Sequence, residues 1–77
     1  MSDKMVDVTL HIDEMTSSEG RESFCDALRA MDGVMAAASH DSQPHLFVVE
    51  YDPEAVSSSA FVQAAKAQGY HAELIGF

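Results

Sequence analysis

Cysteine occurs once in this chain, at Cys25, so no disulfide can form within it and no pair of thiolates can grip a metal. Basic residues are also scarce: four Lys and Arg stand against 13 Asp and Glu, a formal charge of −9. That balance argues against nucleic-acid binding, where Lys and Arg must displace the counterions of the phosphates, and against anionic membranes. No apolar run approaches the ~20 residues that span a bilayer, and the N-terminus lacks the basic and apolar regions of a signal peptide. A cytoplasmic protein without membrane insertion is therefore expected. What the chain does have is 47% hydrophobic residues in alternating and helical patterns, a globular composition. With 77 residues there is room for one small core, so a single domain over residues 1–77 is expected. The acidity fits a basic partner, attraction of cations or solubility at high salt, and composition does not choose among them.

The pattern along the chain is βαββαβ, with short connections and no repeat. From Met5 to Ile12 the chain alternates, with Val6, Val8, Leu10 and Ile12 on one side and Asp7, Thr9 and His11 on the other, as in a half-buried strand. Phe24, Leu28 and Met31 then recur at helical spacing with Cys25 and Ala27 beside them, behind a start capped by Thr16-x-x-Glu19 or the neighbouring serines. Gly33 suits the helix stop. Val34 to Ser39 reads as a weak strand, Asp41-Ser42-Gln43-Pro44 as a turn, and Leu46 to Tyr51 as a strong strand, the two strands forming a hairpin. After Asp52-Pro53, one of Ser57, Ser58 or Ser59 caps a second helix carrying Phe61, Ala64, Ala65 and Gln68; Gly69 ends it, and Tyr70 to Ile75 is the last strand. Two split βαβ halves with right-handed crossovers give an α+β, ferredoxin-like fold. It has a four-stranded antiparallel sheet of order 4-1-3-2 with both helices on one face.

Several pieces in this order match one family. Met15-Thr16 stands before the first helix, then come Ala27-Leu28, Asp32-Gly33-Val34, Val49-Glu50-Tyr51-Asp52-Pro53 and Gly69-Tyr70-His71-Ala72. From Val8 to Leu74 the chain resembles the heavy-metal-associated domain of copper chaperones, mercury-binding proteins and metal-pumping ATPases. In that family the loop reads Met-Thr-Cys-x-x-Cys and its two thiolates hold Cu(I) or another thiophilic ion. Here the cysteine positions are Ser17 and Gly20. Serine is a hard, neutral ligand and glycine has no side chain, so thiolate capture of Cu(I) or Hg(II) by this loop is not expected. The resemblance further implies that Met15 points inward beneath the loop. It also implies a docking face around the loop and first helix, with Thr16, Ser18, Glu19 and Tyr70 as its residues, for a basic protein or a metal-transporting ATPase domain. Cys25, beside Phe24 and Leu28, reads as a buried core residue and not as a displaced ligand.

Imidazole is the commonest substitute ligand for zinc, copper or nickel. The expected topology brings the ends of strands one and two and the starts of strands three and four to one pole. There it gathers His11, His40, His45 and His71, with Glu14, Glu19 and Asp41 as oxygen donors. His11 and His71 fall on the open sheet face and become cross-strand neighbours if the register pairs them. The alternative is that these are ordinary polar residues at strand ends. No catalytic set is present: a serine nucleophile lacks a positioned base and oxyanion hole, and Asp13, Glu14 and Glu19 oppose an anion nest at Ser17, Ser18 and Gly20. Two readings stand. The chain is either an acidic, non-enzymatic interaction or regulatory module of metal homeostasis with no obligatory cofactor, or a metal-handling domain with a relocated His and carboxylate site for Zn(II), Cu(II) or Ni(II). The exposed sheet face and edge strands also offer a route to weak homodimers.

Overall fold

The computed structural model describes residues 4–75; the ends of the expected 1–77 domain, residues 1–3 and 76–77, lie outside the described residues. Strand β1 spans Val6–Ile12, helix α1 Ser18–Arg29, strand β2 Val34–His40, strand β3 Gln43–Tyr51, helix α2 Ser59–Ala67 and strand β4 Ala72–Ile75. The sheet order is β2-β3-β1-β4 with antiparallel neighbours, which is the expected 4-1-3-2 order read from the other edge. No helix among the described residues is long and apolar enough to cross a membrane.

The core follows from the two periodicities. Leu10 and Ile12 of β1, with Phe47, Val49 and Tyr51 of β3, point from alternate positions to the helical side of the sheet and are buried. Phe24, Cys25 and Leu28 of α1 and Phe61 and Ala65 of α2 close over them. Aromatic edges meet faces across the layers, with Phe24 against Phe47 at 5.2 Å between ring centroids and Tyr51 against Phe61 at 4.9 Å. At the end of α1, Arg29 donates to the Ala37 carbonyl of β2 while also pairing with Glu22 and Asp26.

Local cap and turn bonds set the element ends where the sequence pattern did not. Strand β4 begins at Ala72 and not at Tyr70 because the Tyr70 and Gly69 amides close α2, donating to the carbonyls of Ala65 (2.9 Å) and Lys66 (3.0 Å) around Gly69 at φ +87°. Strand β3 starts earlier than expected, at Gln43, because Gln43 pairs with His40 and leaves only Asp41 and Ser42 in the turn. The expected serine cap of α2 is not formed: Ser58 has helical backbone angles (φ −62°, ψ −26°), and the Ser57 and Ser59 hydroxyls bond each other at 2.8 Å instead.

Gly33 has φ +92°, and a Cβ there would stand 2.8 Å from the Ala55 Cβ and 3.0 Å from a Val56 methyl. The left-handed backbone and the clash act together, so Gly33→Ala is expected to lower unfolding free energy by at least ~2 kcal/mol in urea denaturation. An unchanged midpoint would contradict this packing.

Candidate functional site

The loop between β1 and α1 is anchored from below. Ser17 sits at the helix N-cap in extended conformation (φ −80°, ψ 163°), and its Oγ accepts the Gly20 amide at 3.0 Å. Thr16 is buried and donates its hydroxyl to the Pro44 carbonyl of β3 at 2.9 Å. Beneath it lies Arg21, only 6% exposed, whose Nη1 donates to the Thr16 carbonyl at 2.8 Å and whose Nη2 meets Asp41 Oδ1 at 2.5 Å. Sequence reasoning missed Arg21. The available signal was a cation in the first turn of a helix, where the macrodipole disfavours it unless a carboxylate compensates. The expectation for Met15 is corrected: it is 75% exposed, and the residues buried at this end of α1 are instead Thr16 and Arg21, joined by a hydrogen bond.

The space beside Gly20 is enclosed. A Cβ on Gly20 would lie 2.9 Å from the Tyr70 hydroxyl and 3.2 Å from Ser17 Oγ. Tyr70 is half-buried, its ring set edge-on to Phe24 at 6.0 Å. The side-chain donors around this point are thus hydroxyls, hard ligands that do not suit Cu(I). Cys25 is 1% exposed in the core, and burial pushes its thiol above the ordinary value, which disfavours the thiolate. Ser18 and Glu19 are exposed on the first turn of α1.

The four histidines fall in three separate places. The β1–β4 register puts Glu73, not His71, opposite His11. The His11 ring stacks on His45 at 5.5 Å and 17°, and His45 Nδ1 lies 2.7 Å from the Ile12 carbonyl, which can only accept, so that nitrogen carries the proton. His71 instead joins Glu14: its amide donates to Oε1 at 2.8 Å and its Nδ1 to Oε2 at 2.5 Å. Its backbone amide and ring both hold the Glu14 carboxyl below its usual range, and the carboxylate holds His71 above its own. His40 is exposed at the end of β2, opposite Gln43. Beside His11, side-chain donor atoms of His11, Asp13 and Glu73 lie within 4.8 Å of one another.

Solved structures with this fold include the N-terminal domain of a potential copper-translocating P-type ATPase from Bacillus subtilis in the Cu(I)-loaded state, with TM-score 0.86 and 25% identity over 95% of this chain and 90% of that one. Oxidized MerP from Ralstonia metallidurans matches with TM-score 0.84 and 22% identity over 95% of this chain and all of the other (100%). A CopZ metallochaperone matches with TM-score 0.80 and 25% identity over 88% and 100% of the two chains. No protein-family model and no curated protein matches the sequence. The structural neighbours are heavy-metal-associated domains of the copper-chaperone and mercury-binding type, and the chain has their fold.

Two outcomes are expected from this geometry. Gly20→Ala should gain helix propensity only when the Tyr70 hydroxyl is removed, so a cycle with Tyr70→Phe should show about 0.5–1 kcal/mol of coupling in urea denaturation; additive effects would contradict the contact. For the Glu14–His71 pair, the raised His71 value gives stability that is complete below its unfolded pKa of about 6.5 and lost as pH rises through the folded value. The lowered Glu14 value gives stability complete above about 4.5 and lost as pH falls through its folded value. The pair is therefore fully effective between about pH 4.5 and 6.5, and in Glu14→Gln the His71 ring signal should titrate at lower pH than in the parent by NMR.

Proposed function

We propose that this chain is a heavy-metal-associated domain that has given up the thiolate site and works as an acidic, non-catalytic docking or regulatory module of metal homeostasis in the cytoplasm. The observation that carries this reading is the loop itself: its frame is anchored through Thr16, Arg21 and Pro44, while the second ligand position is a glycine hemmed in by the Tyr70 and Ser17 hydroxyls.

What the loop offers is a contact surface. Met15, Ser18 and Glu19 are exposed at its crest, Tyr70 borders it, and the buried Thr16 holds it from beneath. Asp41 is exposed nearby, in a chain of net charge −9. The partner that fits is a basic protein surface, such as a soluble domain of a metal-transporting ATPase, met through long-range attraction and a small apolar contact at Met15.

The test is an NMR titration of the labelled chain with such a basic ATPase domain at two salt concentrations. Shifts should concentrate at Met15, Ser18 and Glu19, and binding should weaken by about tenfold between low and high salt, because exposed charges are screened. Shifts confined to α2, or affinity indifferent to salt, would overturn the reading.

A further inference from the structure

A second cluster stands apart from the loop, on β1 and β4. His11 and Glu73 are direct partners across these strands, which puts their side chains on one face about 5 Å apart at Cβ. Asp13 follows His11 by two residues, and its amide continues the ladder to the His71 carbonyl at 3.0 Å, so the strand geometry carries its side chain to the same face. Side-chain donor atoms of all three lie within 4.8 Å of one another.

The spacing is informative. His11 Nδ1 is 3.4 Å from Asp13 Oδ1, longer than an ordinary hydrogen bond. Two donors bound to one tetrahedral ion at ~2.1 Å each stand ~3.4 Å apart. The two carboxylates stand with the imidazole on the surface of a chain of net charge −9, a field that attracts cations. His45 supplies a second, independent feature: fixed by its bond to the Ile12 carbonyl, its ring lies against the His11 ring and restricts the plane of the imidazole.

We propose that His11, Asp13 and Glu73 form a surface site for a borderline divalent cation such as Zn(II), with the fourth position left to water. One imidazole and two carboxylates suit such an ion and do not suit soft Cu(I). All three residues are at least partly exposed, so water competes for the ion and keeps the affinity modest. The site is independent of the docking reading: zinc binding can fail while partner binding succeeds, and the reverse.

The experiment is calorimetric and NMR titration of the chelator-treated full chain with zinc chloride at neutral pH. One equivalent should bind, with shifts centred on His11, Asp13 and Glu73. His11→Ala and Glu73→Gln should each weaken binding at least ~10-fold, while Glu14→Gln leaves it unchanged. Glu73 is exposed, so Glu73→Gln should keep the thermal unfolding of the metal-free parent, and that variant separates ligand loss from misfolding. Absence of saturable binding, binding unchanged in both ligand variants, or shifts centred on His71 and Glu14 would overturn the proposal.

Discussion

The guanidinium of Arg21 is buried at the positive end of α1, a place where the helix macrodipole and loss of water both oppose it. Its compensation comes from two other segments, the Thr16 carbonyl in the loop and the Asp41 carboxylate in the hairpin turn. A buried cation left without them would be costly, so the loop and the turn are held at fixed places relative to the helix. Thr16 extends the constraint through its hydroxyl to Pro44, next to His45, and His45 in turn meets the end of β1 at Ile12. The whole pole of the domain is organised around one side chain.

The loop is held by contacts of the chain itself: the Ser17 hydroxyl caps the helix, the Arg21 guanidinium donates to the Thr16 carbonyl, and the Tyr70 hydroxyl stands next to Gly20. The crest that remains, with Met15 turned outward, is a surface and not a cavity. The polar residues on the β1–β4 side are a separate matter, since His11 and Glu73 are brought together by strand register and owe nothing to the loop.

The fold was legible because two periodicities dominate it. Val8, Leu10 and Ile12 alternate, Phe24 and Leu28 recur at four residues, and burial of those faces admits few topologies. Element ends were less legible, because they depend on cap and turn bonds that periodicity does not encode, such as the one to the Ala65 carbonyl that keeps Tyr70 out of β4. The pole occupied by the histidines follows from the strand ends, but their partners do not. Alternation tells the face of a residue and leaves register ambiguous by steps of two, and that step is the difference between His71 and Glu73 opposite His11. Arg21 was hidden for another reason: an amphipathic reading assigns a cation to the solvent side, and only the hairpin turn, brought in by tertiary structure, supplies its counter-charge.

The proposed docking loop, framed by hydroxyl and guanidinium contacts, is tested most directly by competition for Cu(I) between the reduced chain and a chromophoric Cu(I) chelator. The chelator is expected to keep its copper at equimolar protein. Stoichiometric transfer of Cu(I) to the chain, with NMR shifts at Met15, Ser17 and Gly20, would contradict it.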